Sequence, residues 1–535
     1  MSKIGQYLQE HLSGEVLDSM EIRQQLSRDA SVLSIVPLLA VYPRSELDVR
    51  KTTRFCWQLA ERGRHLPITA RGGGTSTTGA ALGSGIVMVT TAHMNKILSL
   101  DPKKKKVVLE PGMSFDKLQQ TLYTHGLFLP VAPSLGAYAT VGGSLANNVS
   151  GKRSVKYGNL GNYVKSLKVV LSNGETIETG PLNKRELSHK MGLSSFEGHI
   201  YRTLDALLEE NTGLIAKLPS GAGYNLGSVR AKDGCDLTPL FLGSQGSLGI
   251  IVEASLSLAE HNPEVAMAML SLEKYDDLAQ VLPSLLSLKP SMLDMLSGTA
   301  LSAVSRVSPQ KLSASAVPAS CALHLFIEFD DAKASARKEN IKKLSKLAER
   351  AGAYMMVAND FDDRQKIHSI RQSVATILMM PDGQARALPL GEDIQVPPEN
   401  LANFIQEAES AFKASNMAAP MWGHAGSGIV RFYPQLDIAQ VGDRQKFFKL
   451  MDALFASALK HGGALSASSE GRVKAPHTRR FYGDDFYKLT TKVKSIFDPH
   501  KILNPGVKTL SSDELLPLLR SDYSLAHFYH HLPRS

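Results

Sequence analysis

The chain has 535 residues, 43% hydrophobic and 21% charged, a normal globular composition but too long for one core, so at least two domains are expected. A net charge of +9 suits anionic ligands, acidic partners or a membrane face without choosing among them. Three well-separated cysteines, Cys56, Cys235 and Cys321, exclude a disulfide framework. Without any Cys-x-x-Cys pair they also exclude an iron–sulfur cluster held by this chain alone.

Residues 1–36 are read as a helical lead-in, "EIRQQLSRDASVL", behind a polar start that lacks the apolar core of a signal peptide. No run of about 18 apolar residues occurs. The expected address is the cytoplasm, with peripheral contact on the inner face of a membrane as the outer limit. Residues 37–262 alternate short helices with β-branched strands: "IVMVTT" at 86–91, "KVVLEPG" at 106–112 and "SLKVVLSNGETIETG" at 166–180. Asn173-Gly174 signals a type I′ hairpin. "DPKKKK" at 101–106 reads as a solvated turn between strands, and with no interleaved aromatics it gives no reason to expect nucleic acid.

From 263 to 480 the texture changes to strand–helix–strand units. "CALHLFIEFD" and "AYMMVAND" flank "ASARKENIKKLSKLAERAG", whose Ile341, Leu344 and Leu347 predict an amphipathic helix lying on a sheet. This second domain is expected to be antiparallel, giving an α+β protein overall. Residues 481–510 return to the first domain, and 511–535 form a short helix and a tail.

Three loops are rich in glycine: "RGGGTSTTG" at 71–79, "ATVGGSLANNVSGKRSVKYGNLGNYV" at 139–164, and "FLGSQGSLGIIVEASLSL" at 241–258. Glycine lets backbone approach a ligand, and successive N–H groups make a nest for phosphate oxygens. Alone, the first loop serves equally well as a tight turn, and it fits neither the G-x-G-x-x-G fingerprint nor a P-loop. Three such loops in one domain point to a long phosphate-bearing ligand threaded between them.

Together these segments resemble the FAD-binding domain of the vanillyl-alcohol oxidase / p-cresol methylhydroxylase superfamily. "MWGHAGSGIVRFYP" and "FDPHKILNPGVK" resemble the C-terminal domain shared by FAD-linked D-lactate dehydrogenases and the FAD-linked component of glycolate oxidase. The resemblance runs over about 38–508. It implies an FAD-binding domain of that type with an antiparallel substrate (cap) domain, and it assigns cofactor contacts in each loop. The first supplies Arg71, Gly72, Gly73, Gly74, Thr75, Ser76 and Gly79. The second supplies Thr140, Gly142, Gly143, Asn147, Ser150, Gly151, Tyr157 and Gly158, with Pro133 ahead of it. The third supplies Gly246, Gly249, Ile250 and Ile251, and the "LNPG" segment supplies Asn504. No histidine stands in the arginine–glycine loop, so non-covalent FAD is expected and His93 is read as structural.

The resemblance also implies a flavin-dependent oxidation of a small anionic 2-hydroxy acid such as D-lactate. Arg371 then clamps the carboxylate through a bidentate pair, or alternatively makes an interdomain salt bridge. Arg386 is a weaker second anion contact. The family's divalent metal ligands are absent: His424 is retained, but Ser427, Arg431, Ser468 and Ser469 replace ligands and base. One histidine does not make a metal site, so no catalytic metal is expected. Arg431 is assigned the missing cationic charge. His424 is either the base or a satisfied buried group, with Glu470 and His477 as fallbacks. Electrons would pass to a quinone or carrier protein, and any iron–sulfur partner would be a separate polypeptide. A different substrate, or a catalytically degenerate flavin-binding subunit, is the alternative.

Overall fold

The computed structural model describes residues 2–520 except 220, 232–233, 312–317, 319 and 379–385. The expected tail beyond 520, with its "HFYHHLPRS", lies outside the described residues.

The first domain holds two main sheets. In one, Leu39–Tyr42, Ile86–Val89 and Ile68–Arg71 run parallel. Their side chains are almost wholly buried, as a parallel sheet covered on both faces requires. The edge strand of this sheet is a departure from the sequence reading. The lead-in is two helices, Lys3–His11 and Met20–Leu26, around a strand, Glu15–Leu17, that pairs antiparallel with Leu39–Tyr42. A three-residue strand whose only buried side chain is Val16 carries too little periodicity to be seen in sequence.

The second sheet is antiparallel, in the order Ile97–Asp101, Lys106–Leu109, Ile250–Ser257, Val164–Val170, Thr176–Glu178. "DPKKKK" turns between its first two strands, as expected. The hairpin at Asn173-Gly174 forms, but not through a type I′ turn. Only Gly174 has positive φ (83°), and the Leu171 N–H donates to Glu175 across a longer loop.

The second domain is built on a seven-stranded antiparallel sheet. Its order is Tyr354–Val357, Ala266–Leu272, Leu323–Phe329, Met292–Ser297, Met421–His424, Ile429–Phe432, Leu390–Gln395. Alternation along each strand feeds two cores. Leu270, Leu293 and Leu325 face a layer containing helices Ala334–Ala351 and Val441–Lys460. Met269, Met292 and Phe326 face helix Phe361–Leu378. The amphipathic helix read at 334–352 spans Ala334–Ala351, with Leu344 buried and Ile341 and Leu347 half-buried.

Polar tethers at one end of the second domain's sheet bring the domains together. Arg153 donates from Nε to Glu328 at 2.8 Å, and the Tyr157 hydroxyl donates to Asp330 at 2.6 Å, both acceptors at the end of Leu323–Phe329. After helix Asp484–Phe497 the chain returns to the first sheet, where the Ile68 N–H donates to Ile502 O at 2.7 Å.

Candidate active site

A cleft runs from the glycine loops of the first domain to the sheet of the second. Strand Ile68–Arg71 delivers the first loop. Arg71 ends the strand with its guanidinium turned inward, donating to the carbonyls of Arg28 (2.7 Å), Leu26 and Ala81 (both 3.3 Å). It borders the cleft, yet its donors are spent on pinning the loop. Gly74 has φ +70°, and a Cβ on Gly73 would sit 1.9 Å from Tyr138 O, so this backbone bears no larger residue. Among the described residues, the N–H groups of 72–77 donate to no protein acceptor.

The second loop enters helix Val141–Asn147, whose cap Thr140 accepts the Gly143 N–H at 3.1 Å. The third loop carries a residue that sequence reasoning missed. Gln245, at φ +55°, donates to Asn147 Oδ1 (2.7 Å) and Thr78 Oγ1 (3.0 Å), tying all three loops together. Beside it, a Cβ on Gly246 would meet only Ala70 Cβ, at 3.8 Å, so this glycine faces open cleft.

Six of the residues assigned to the cofactor stand off the cleft wall. Gly79 gives its carbonyl to Arg472 (2.6 Å), and Ser150 donates to Asn159 (2.7 Å). The Gly151 N–H donates to Ser154 (2.8 Å), Tyr157 is taken by Asp330, and Gly158 turns the chain at φ +72°. Asn504 is a brace: Nδ2 donates to Gln245 O (2.6 Å) and Ala80 O (2.8 Å), while Oδ1 accepts from Arg472 (2.6 Å) and Thr69 (3.1 Å). The other assigned residues border the cleft. His93 is outside it, 2.6 Å from Glu15.

At the far end the wall is formed by Ala375, Glu392, Asp393, Trp422, Arg431, Tyr433 and Ser468. Arg431 projects from strand Ile429–Phe432 and lies 4.2 Å from the centre of the Trp422 ring. Its Nε is 3.1 Å from Glu392, and its Nη2 pairs with Asp393. His424 is behind it and fully buried, with Nδ1 2.7 Å from Asp294 and Nε2 3.3 Å from Arg431 Nη1. A guanidinium only donates, so Nε2 accepts and Nδ1 carries the hydrogen. Burial, with Arg431 adding to it against the pull of Asp294, keeps this imidazole below its ordinary pKa. Asp294 also pairs with Arg371, whose Nη2 has no hydrogen-bond partner among the described residues. Burial works against the Asp294 charge, but Arg371 and His424 hold it down at about 2.

His424, Arg371 and Arg431 are thus joined through Asp294, and only Arg431 reaches the cleft. Glu470 is elsewhere, buried against Lys508 (2.6 Å) and accepting the Gly223 N–H (2.7 Å). His477 pairs with Asp452 at 2.8 Å. Arg386 stands on a short strand paired with Gln435–Leu436. Ser469 donates to Gly243 O (2.8 Å), leaving Ser468 at the wall with Oγ 3.1 Å from Asp393. Among the described residues, no group of three His, Cys, Asp or Glu is arranged to hold a metal ion, and no helix is long and apolar enough to cross a membrane.

The family model described as "FAD binding domain" matches residues 37–180, and "FAD linked oxidases, C-terminal domain" matches 261–507. D-2-hydroxyglutarate dehydrogenase of Escherichia coli (strain K12) is 29% identical over 518 residues, covering 93% of this chain and 50% of the relative. The chain therefore spans about half the length of such relatives. Glycolate oxidase subunit GlcD of Bacillus subtilis (strain 168) is 25% identical over 477 residues, 88% of each chain. The crystal structure of p-cresol methylhydroxylase with substrate bound superimposes with a TM-score of 0.68 at 14% identity, over 96% of this chain and 97% of that one, which shows a shared fold. A cradle of unpaired amides and open glycine fits the phosphates of a dinucleotide, and the chain belongs to the flavoproteins that join an FAD binding domain to an FAD-linked oxidase C-terminal domain.

Proposed function

We propose that the protein is an FAD-dependent oxidoreductase that converts a small 2-hydroxy acid to its 2-oxo acid, with the flavin held non-covalently. The observation that carries this reading is the continuity of one cleft from the unpaired amides of 72–77 to the Arg431 guanidinium. The relatives named as D-2-hydroxyglutarate dehydrogenase and glycolate oxidase subunit GlcD support the substrate class. We assign 37–262 to the flavin domain, 263–480 to the substrate domain and 481–510 to the returning segment, after the lead-in at 1–36 and before the tail at 511–535.

FAD, when bound, supplies the acceptor for the two electrons and hydrogen leaving the substrate. The protein's own part is to bind and orient. Residues 72–77 and 143–147 hold the anionic end of the ligand. Arg431, its plane fixed by Trp422 and by the Arg371–Asp294–His424 chain, meets the substrate carboxylate. Electrons leave to a quinone, a carrier protein or a separate iron–sulfur polypeptide. The net charge of +9 suits peripheral contact of a cytoplasmic protein with an anionic membrane face.

The test is anaerobic titration of the purified flavoprotein with D- and L-2-hydroxyglutarate, D- and L-lactate and glycolate, followed at the flavin band. Prompt bleaching by one enantiomer supports the reading and names the acid. A stable flavin spectrum that none of them bleaches overturns it and turns attention to another substrate or a non-catalytic flavin-binding role, to which the serines at 427, 468 and 469 already point.

A further inference from the structure

The edge strand Leu390–Gln395 is irregular where it meets the cleft. Its register against Ile429–Phe432 runs from Leu390 opposite Phe432 to Ile394 opposite Val430, so four steps on one strand face two on the other. The surplus residues form a bulge at 391–393. Gly391 has φ +61° and Asp393 φ +56°, and a non-glycine residue in that region is held there by its surroundings. Such bulges re-aim side chains at a sheet edge. Here the bulge puts two adjacent carboxylates, Glu392 and Asp393, on the cleft wall.

Arg431 contacts both carboxylates, and a second cation, Lys474, faces them as well. The groups facing Glu392 are Arg431 and Tyr433 from the neighbouring strand, Asp393 beside it, and Lys474 from helix Gly471–Tyr482. His424 lies behind Asp393. Lys474 donates to the Glu392 backbone carbonyl and to Leu465 O (2.7 Å) rather than to either carboxylate. Asp393 is the partner kept ionised: burial opposes its charge, but Arg431 and Lys474 hold it below its ordinary value. Burial raises Glu392, and Asp393 adds to that. The Tyr433 hydroxyl donates to Glu392 Oε1, fixing its orientation. His424, by contrast, is off the wall with both ring nitrogens engaged.

We propose that Glu392, delivered by the 391–393 bulge, is the proton acceptor for the substrate hydroxyl, in place of an imidazole base. The O–H bond breaks and its proton binds Glu392. The C2–H bond breaks as hydrogen and electron pair leave to the flavin-class two-electron oxidant, and the oxygen lone pair closes the C2=O bond. The cluster of Arg431, Asp393 and Glu392 thereby gains one positive charge beside the product carboxylate. The inference rests on the 2-hydroxy acid reading above.

The test uses the full chain loaded with FAD, as wild type, Glu392→Gln and Tyr433→Phe. Anaerobic flavin reduction by D-2-hydroxyglutarate and D-lactate is measured across pH, and infrared pH-difference spectra record the protonated carboxyl band. The expected result is a loss of about 100-fold or more in the reduction rate of Glu392→Gln at unchanged flavin content. A protonated carboxyl that persists above the ordinary glutamate range in wild type should also vanish in that variant. Tyr433→Phe removes a hydrogen bond that favours the ionised carboxylate, so the acid limb of its rate profile moves to higher pH, a shift that mere packing does not produce. Reduction of Glu392→Gln at the wild-type rate, an unmoved limb in Tyr433→Phe, or a carboxyl band retained in Glu392→Gln would overturn the proposal. Should Glu392→Gln lose its flavin, the Tyr433→Phe profile decides. If neither acid reduces wild type, the 2-hydroxy acid reading falls instead, and the infrared band still decides whether Glu392 holds a proton.

Discussion

Replacing Arg153 by methionine should weaken the second domain by about 3 kcal/mol at neutral pH. Arg153 is 11% exposed and its partner Glu328 is fully buried. Glu328 Oε1 accepts from Arg153 (2.8 Å) and Ser291 (2.9 Å), while Oε2 has no hydrogen bond among the described residues. Burial pushes this carboxyl up, but Arg153 first and Lys152 second bring it from 4.5 to about 2. At 1.36 kcal/mol per pKa unit, that depression is worth about 3 kcal/mol, and breaking a buried pair by removing one partner costs roughly 3–5 kcal/mol. Methionine keeps an unbranched apolar stem and removes the guanidinium, which lies 5.3 Å from the centre of the Phe128 ring, so the charge is the main loss. The assay is urea unfolding in a Trp57→Phe background, where Trp422 reports on the second domain alone. With a slope of about 1–3 kcal/mol per molar, the midpoint should fall by roughly 1 M or more. Adding Glu328→Gln should restore at least half of that loss, since no buried charge is then left unpaired. The sign with pH follows from a depressed carboxylate. The contribution is complete above pH 4.5 and fades as pH falls towards 2, so the gap between parent and variant should close on acidification. An unchanged midpoint in Arg153→Met, or a double variant no better than the single, refutes this account of the interdomain tether.

Gly246→Ala should fold, at a cost of about 1–2 kcal/mol for its left-handed backbone, yet purify with less flavin per chain; full flavin occupancy would show that the open face of Gly246 is not part of the cradle. Asn504→Ala, at a residue that braces the cleft wall from behind, should lower stability by roughly 2–3 kcal/mol and loosen flavin retention, because Arg472 loses an acceptor and two loop carbonyls lose a donor. Thermal release of flavin fluorescence measures both effects at once. A strong chelator should leave flavin reduction unchanged, since His424 is committed to Asp294 and Arg431 and the serines at 427, 468 and 469 offer no metal set; loss of activity that zinc or manganese restores would refute this.

The parts legible in the sequence were those written in backbone chemistry. Glycines at 72–74, 142–143 and 246 announce close approach whatever the rest of the chain does, and the charged periodicity of 334–352 predicts a helix with one face on a sheet. The substrate end was less legible because it is assembled from lone charges in apolar strands. Asp294 stands in "MLDMLS" and Glu328 in "LHLFIEF", where a single acid among buried positions signals a paired charge, though not its partner. Glu392 and Asp393 follow Gly391 inside a strand pattern, the usual mark of a bulge, but its direction depends on which strand lies alongside. Gln245 reads as an ordinary loop residue until its positive φ and two long-range hydrogen bonds are seen. Tyr157 matched a flavin-loop motif, and its hydroxyl was found to serve the domain boundary instead.

The Asn504 brace bears on when the protein acquires its cofactor. Its bonds to Thr69 and Ala80 span 435 and 424 residues of chain, and with its bond to Gln245 they join two glycine loops to the returning segment. On a ribosome, the first loop emerges long before its brace does, and non-local closure of this kind is slow. Flavin capture should then be a late, post-synthetic event in which the ligand stabilises a fold already closed, so that cofactor shortage during synthesis would leave complete but loosely shut apoprotein rather than truncated or misfolded chains.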